Sequence, residues 1–281
     1  MKIAITGVTG FIGRHVRNAL TKTDHEVVLV IRSIERVGDR SANEEIVIAD
    51  LNEVRTDWFE LFGKPDAVLH LAWGGLPNYL DSYHLDVELP VQSRFLTALI
   101  CSGLKKLVVT GTCYEYGLTS GALSEKQETN PNTPYGIAKD NLRRELFELQ
   151  STQDFDLTWA RVFYPYGEGQ SENSLYSQIR SCANSGVTEF KLYNGGSRLD
   201  FISVETVASS LLKLLGWHGL GLINIGSANP RSVFNFAQDL IKANGWEVSL
   251  QIEKNGDRNF ESKEFWADIA KLQNVENNRC F

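Results

Sequence analysis

The chain has 281 residues, a net charge of −7, and 42% hydrophobic and 22% charged residues. That size fits one large α/β domain or a domain with a lobe, and the acidic balance excludes a general nucleic-acid or anionic-membrane partner. No apolar run approaches the ~20 residues of a membrane span, there is no signal-peptide pattern, and neither the four cysteines (Cys101, Cys113, Cys182, Cys280) nor the five histidines show metal-ligand spacing. The expected setting is a reducing cytoplasm, with no disulfide framework and no metal site.

The first predicted strand, residues 2–6, runs directly into Gly7-Val-Thr-Gly10-Phe-Ile-Gly13, which opens a predicted helix at 12–21. Strand, glycine loop and helix in this order form a phosphate cradle. Glycines permit the tight turn, and backbone amides at the helix N-terminus face the anion. The spacing is Gly-x-x-Gly-x-x-Gly rather than the commoner Gly-x-Gly-x-x-Gly. Candidate cofactor contacts are Gly7, Thr9, Gly10, Phe11, Ile12, Gly13 and Arg14.

A second strand at 26–31 ends in Val30-Ile31-Arg32-Ser33, with Arg36 close behind. An acidic residue there would hydrogen-bond the ribose 2′-hydroxyl of NAD, whereas a guanidinium favours a 2′-phosphate. Arg32 therefore favours NADP(H) over NAD(H). A third strand at 45–49 leads to Asp50-Leu51, placed to touch the adenine.

Further strands are expected at 67–72, 106–110 and 157–162, and helices at 85–102 and 135–150. These strands are continuous apolar runs, as expected when both faces are buried. The β-α alternation predicts a Rossmann-like, doubly wound parallel sheet. On the last of these helices, Tyr135 and Lys139 lie four residues apart, hence on one face about one turn apart. An ammonium beside a phenol favours the phenolate, so the pair is suited to moving a proton on and off an alcohol or carbonyl.

After Tyr166 the texture changes. A polar stretch at 167–174 precedes a helix-like segment ending at 183, a strand at 190–193 and the loop Asn194-Gly-Gly-Ser. A strand at 201–204, a helix at 205–215 and a strand at 222–225 read as a return to the sheet, and the tail from Arg231 holds another helix. The expected division is a dinucleotide-binding domain of residues 1–165 plus 201–227. Residues 166–200 plus 228–281 would form a small discontinuous substrate lobe over the sheet's carboxyl edge.

These motifs together resemble the extended short-chain dehydrogenases/reductases, the nucleotide-sugar epimerase/dehydratase group. The resemblance covers nearly the whole chain. It rests on Thr6-Gly-Val-Thr-Gly-Phe-Ile-Gly13, Asp50-Leu51, His70-Leu-Ala72, Thr110-Gly-Thr-Cys-Tyr-Glu-Tyr-Gly117 and Tyr135-x-x-x-Lys139. Arg161-Val-Phe-Tyr-Pro-Tyr-Gly167, Arg198-Leu-Asp-Phe-Ile-Ser-Val204, and Gly256-Asp257 followed by Ala267-Asp268-Ile-x-Lys271 extend it.

The resemblance implies that Tyr135 is the general acid/base and that Lys139 lowers its pKa and holds the nicotinamide ribose. It also implies that the Thr112 hydroxyl binds the reacting oxygen. Leu71 and Ala72 join the cofactor contacts. Arg198 would meet the substrate phosphate, and Tyr164 stands near it in place of a frequent asparagine. Glu88 likewise replaces a usual asparagine. Family dehydratases carry an acidic pair just after the threonine, where this chain has Cys113 and Tyr114. Neither is a carboxylate, so 4,6-dehydration is not expected, and Cys113 reads as a small buried residue.

The implied activity is an NADPH-dependent reductase of a nucleotide-linked keto-deoxysugar, a 4-keto-6-deoxyhexose on dTDP, CDP or GDP, in deoxysugar or surface-polysaccharide synthesis. The alternatives are a nucleotide-sugar 4-epimerase with tightly bound NAD, of the UDP-hexose type, and a non-catalytic dinucleotide-sensing regulator. Homodimers through two helices are common in the group, and the apolar faces at 87–99 and 137–149 permit one.

Overall fold

A computed structural model describes residues 1–34, 37–253, 260 and 262–277. Arg36, Gly256-Asp257 and Cys280 lie outside them. The first half contains β1 (Lys2–Thr6), α1 (Phe11–Leu20), β2 (Glu26–Ile31), β3 (Glu44–Ile48), α2 (Trp58–Leu61) and β4 (Ala67–His70). It continues through α3 (Leu89–Cys101), β5 (Lys106–Thr112), β6 (Gly121–Leu123), α4 (Pro134–Leu149) and β7 (Asp156–Val162). The second half begins with β8 (Tyr164–Tyr166), α5 (Leu175–Asn184), β9 (Glu189–Tyr193), β10 (Arg198–Leu199) and β11 (Phe201–Ser203). Then come α6 (Val204–Leu215), β12 (Gly221–Ile225), β13 (Arg231–Ser232), α7 (Val233–Asn244), β14 (Ser249–Glu253), β15 (Glu264–Ala267) and α8 (Ala270–Asn277).

The continuous apolar strands build a seven-stranded sheet in the order β12-β7-β5-β4-β1-β2-β3, with every pair parallel. The sheet is covered on both faces. One core holds Ile3, Ile5, Leu29 and Leu69 with Val16 of α1, Leu211 of α6 and Leu272 of α8. The other holds Ala4, Val28, Val68 and Val109 with Trp58, Phe95, Leu99 and Leu142 from α2, α3 and α4. This is the expected Rossmann-like doubly wound fold. The winding reverses between β1 and β4, so their carboxyl ends diverge and open the crevice where ligands bind in such sheets.

Three expectations change in detail. The strand expected at 67–72 ends at His70, where its pairing with Thr6 of β1 ends and β1 turns away at Gly7. Leu71 and Ala72 are tied instead to Thr6, through its carbonyl (3.2 Å) and its hydroxyl (3.4 Å). The helix expected at 85–102 divides into a π-turn, His84–Glu88, and α3. Pro90, which lacks an N–H, sits in the first turn of α3 and cannot extend the ladder backwards. The segment expected at 201–204 does not rejoin the main sheet. As β11 it pairs with β8 beyond the sheet's carboxyl edge, and only β12 returns, beside β7.

The remaining strands form small sheets, β13-β10-β15-β6 and β14-β9. The last helix, α8, packs on α6 and β12. Among the described residues no helix is long and apolar enough to cross a membrane.

Candidate active site

The phosphate loop is shaped by backbone contacts. Gly7 adopts φ +71°, in the left-handed region open to glycine, and a Cβ there would fall 2.5 Å from the Ala72 nitrogen. The Gly10 amide donates to the Gly7 carbonyl at 3.0 Å, and Gly10 caps α1 without any side-chain hydrogen bond. The first amides of α1 therefore keep unmade bonds at the positive end of the helix, facing the crevice. A pyrophosphate fits this cradle, whose tight backbone side chains at Gly7 or Gly13 would force apart by collision with Ala72 and with Gly7 and Val8.

Phe11 and Ile12 open the helix, with Phe11 edge-on to His15 and Ile12 packed on the core. Arg14 is exposed. Its Nε donates to the Thr9 carbonyl at 3.0 Å, and its guanidinium lies beside Gly169 of the 167–174 loop.

At the adenosine end, Arg32 is exposed and forms no ion pair with another described residue. Arg32 at the end of β2 and Asp50 after β3 are both near enough to the Tyr83 phenol to act on it, in opposite senses. The Asp50 carboxylate accepts from the Asn52 amide nitrogen (3.0 Å) and side chain (2.7 Å), and Leu51 packs on the second core.

Two elements converge to make the candidate catalytic centre. β5 ends at Thr112, where a 3-10 turn begins. Thr112 Oγ1 accepts from the Tyr114 amide (3.3 Å), and Glu115 Oε1 accepts from the Thr112 amide (2.8 Å), a reciprocal cap. α4 begins at Pro134 after Thr133, whose hydroxyl accepts from the Gly136 amide at 3.1 Å. This start turns Tyr135 and Lys139 inward, 7% and 2% exposed. The Thr112 side chain lies close enough to the Tyr135 phenol to pull its pKa down, and Lys139 follows one turn later on α4. Lys139 Nζ donates to the Thr110 carbonyl at 2.9 Å and lies 3.9 Å from the centre of the Trp73 ring.

Burial dominates the electrostatics. It pushes the Tyr135 phenol above its usual value, helped by the neighbouring Tyr79, while the Thr112 side chain pulls the other way. Burial also pushes Lys139 down to about 7, against the carboxylates of Glu115 and Glu88. The sequence had suggested a phenol lowered by its lysine. In the folded protein desolvation is the largest influence on the phenol and raises it.

Several site residues are not evident from motifs. Trp73, Tyr79, His84 and Tyr114 surround the Tyr135 ring at 6.0, 5.5, 5.2 and 6.1 Å. Tyr79 stacks on Tyr114 at 4.8 Å, and its carbonyl accepts from the Tyr135 amide. The Trp73 indole donates to His84 Nδ1 (3.1 Å), so His84 Nε2 carries the proton and donates to the Asn78 carbonyl (2.9 Å). For Trp73, Tyr79 and His84 the signal is the aromatic density of 73–84, shortly after β4, whereas Tyr114 lies in the Thr110–Gly117 motif.

Glu115 is fully buried. Its carboxylate accepts from the Thr112 amide, the Trp159 indole (2.9 Å) and Arg161 Nε (2.7 Å). Its signal was a lone acid within Cys113-Tyr-Glu-Tyr116.

The proposed substrate residues divide. Tyr164 sits on β8 with its ring 6.4 Å from Tyr114 and 6.0 Å from Phe201, continuing the aromatic wall away from Tyr135. Arg198 is exposed on β10, ion-paired to Glu264 (3.4 Å) and donating to the Pro230 carbonyl (3.3 Å), so its partners belong to the lobe. Leu199, on the opposite face of the strand, takes the buried position.

The model of the NAD dependent epimerase/dehydratase family matches residues 3–226. The dTDP-6-deoxy-L-talose 4-dehydrogenase (NAD(+)) of Aggregatibacter actinomycetemcomitans is 27% identical over 268 residues, covering 95% of this chain and 99% of that protein. A UDP-glucose 4-epimerase of Pisum sativum is 25% identical over 318 residues, covering 97% and 89%. Among solved structures, the UDP-N-acetylglucosamine 4-epimerase of Methanobrevibacter ruminantium M1 matches with a TM-score of 0.85 at 21% identity, covering 98% of this chain and 91% of that one. MoeE5 in complex with UDP-glucuronic acid and NAD gives 0.83 at 23% identity, covering 98% and 92%. These two share the fold. With the glycine cradle, the threonine–tyrosine–lysine centre and the family match over residues 3–226, the chain belongs to the NAD-dependent epimerase/dehydratase family of extended short-chain dehydrogenases/reductases.

Proposed function

We propose that this protein is a nucleotide-sugar 4-ketoreductase acting on a 4-keto-6-deoxyhexose carried by dTDP, CDP or GDP. The observation that carries the reading is Tyr135 buried at the start of α4, with Thr112 at the end of β5 beside its phenol and Lys139 one turn on. The bound dinucleotide supplies the hydride chemistry. Tyr135 donates its proton to the C4 oxygen as the carbonyl becomes an alcohol. The Thr112 hydroxyl orients that oxygen, and the Lys139 ammonium stabilises the phenolate left on Tyr135. Cys113 and Tyr114 bring no carboxylate pair, so elimination of water has no catalyst there. The similar Aggregatibacter protein is named for oxidation at C4 of a dTDP-6-deoxy sugar, the same bond in the opposite sense.

NADP(H) is the cofactor this reading favours. Arg32 stands at the end of β2 without an ion-pair partner among the described residues, a free cation where a 2′-phosphate would lie. Gly7, Thr9, Gly10, Phe11, Ile12, Gly13 and Arg14 would hold the pyrophosphate. Asp50, Leu51, Leu71 and Ala72 would line the adenosine side, and Lys139 would hold the nicotinamide ribose. Residues 166–200 and 228–281, with Tyr164 and Arg198, would form the nucleotide-sugar lobe. A cytoplasmic homodimer through α3 and α4 completes the reading. Those helices leave a groove along Leu89, Ser93, Thr97 and Cys101, with a cavity volume of about 760 Å³.

The test is a panel of keto-sugar nucleotides assayed with NADPH and with NADH. NADPH should be consumed only when the keto sugar is present. Rapid NADH oxidation with none of NADPH overturns the cofactor assignment. A second reading, a 4-epimerase, is favoured by the similar Pisum sativum enzyme. It predicts copurified NAD and turnover of a UDP-hexose without added cofactor.

A further inference from the structure

Glu88 is a buried carboxylate beside the catalytic centre that the proposed reaction does not use. It is 6% exposed and forms no ion pair with a described residue. Neutral donors hold it instead. Oε1 accepts from the Gly74 amide (2.8 Å) and the Gln92 side chain (2.7 Å), and Oε2 accepts from the Tyr83 hydroxyl (3.1 Å). An amide side chain would satisfy much of that set without a charge. A carboxylate buried among neutral groups is costly unless a cation balances it.

The cation is one step away. Gly74 rests directly on the carboxylate, because a Cβ there would come 2.8 Å from Glu88 Oε2. The preceding residue, Trp73, lays its ring 3.9 Å from Lys139 Nζ. The π-turn His84–Glu88 supplies both anchors of this corner, since His84 takes the Trp73 indole proton while Glu88 takes the Gly74 amide.

We infer that Glu88 is the positioning residue of the Lys139 ammonium, holding the Trp73–Gly74 turn against it and supplying its countercharge. The groups around Lys139 are Glu115 after β5, Glu88 before α3, His70 of β4 and the Trp73 ring, with Tyr135 one turn before it on α4. Glu88 and Glu115 favour the charged lysine, whereas burial opposes it. The inference rests on the Tyr135–Lys139 proton donor, which the reductase and epimerase readings share.

The test follows Lys139 itself, by NMR titration of 13Cε-labelled lysine in the full chain without ligands. Glu88→Gln keeps the shape and removes the charge, so the Lys139 midpoint should fall by about one pH unit. Glu88→Asp keeps the charge and should move it by less than half as much. An unchanged midpoint in Glu88→Gln overturns the inference, as does an equal shift in both variants. Should Glu88→Gln fail to fold, Glu88→Asn carries the same neutral replacement in a smaller side chain. In turnover, the alkaline limb of kcat/KM should move down by the same amount in Glu88→Gln. Lower kcat with an unmoved limb reduces Glu88 to scaffolding. Failure to find a keto-sugar substrate refutes the ketoreductase reading but leaves the titration, which needs neither cofactor nor sugar, to decide this one.

Discussion

Glu115→Gln should destabilise the protein more than a surface change would, and the structure supplies the arithmetic. Glu115 and Arg161 are both buried, bonded at 2.7 Å, and the same carboxylate holds the Thr112 amide and the Trp159 indole. A glutamine retains one acceptor oxygen. If that oxygen serves Thr112 and Trp159, its NH2 faces Arg161 donor to donor, and a buried cation is left unpaired. Breaking one side of such a pair costs about 3–5 kcal/mol. At about 2 °C per kcal/mol for a chain of this size, the melting temperature should fall by roughly 6–10 °C. The double variant Glu115→Gln with Arg161→Met removes the stranded cation and should recover about 2 kcal/mol relative to Glu115→Gln alone. Thermal and urea unfolding followed by circular dichroism measure both. A melting point for Glu115→Gln within about 2 °C of wild type, or a double variant that costs the sum of the singles, refutes the reasoning.

Tyr135→Phe should lower kcat by roughly 10²–10⁴, the loss typical of a missing acid–base group, while dinucleotide affinity by fluorescence titration stays near wild type. Gly7→Ala should weaken dinucleotide binding at least about tenfold, because left-handed strain of ~1–2 kcal/mol adds to a collision with the Ala72 backbone. Gly186→Ala is the control: it has a similar φ of +72° but open space around it, so it should show only the strain, in its melting point. Burial, with the nearby Lys139 charge, pushes His70 down to about 3 in the folded protein, below an unfolded value of about 6.5. Between those pH values the unfolded chain binds more protons, so stability should fall by a few kcal/mol as pH drops from 6.5 to 3. Urea midpoints across that range should show the slope, and His70→Gln should flatten it.

Much of the scaffold was legible because its causes are local. Continuous apolar runs at 2–6 and 26–31 require burial on both faces, and the glycine spacing after the first requires a tight turn at a helix N-terminus. Both became a parallel sheet and a phosphate cradle. The two-residue strands β10 and β13 were not legible, since two residues carry no period. The π-turn was hidden for a related reason. The apolar pattern of 85–102 reads through it as one helix, and only Pro90 marks the break.

The catalytic pair shows where the boundary lies. Four-residue spacing on a helix put Tyr135 and Lys139 on one face, and that is a property of the helix alone. What the pair can do depends on groups far away in sequence. Thr112 arrives from β5, Trp73 from the end of β4, and Glu88 and Glu115 from two separate turns. Spacing suggests that a lysine lowers its tyrosine; packing adds burial, which pushes the phenol up and the lysine down. Desolvation is a sum over every neighbour that closes the site. The chain by itself therefore determined the fold class, the glycine turn and the placing of Tyr135 and Lys139 on one helix face. Only the tertiary structure, by burying the pair beneath the aromatic turn at 73–84, pushed the phenol up and the lysine down.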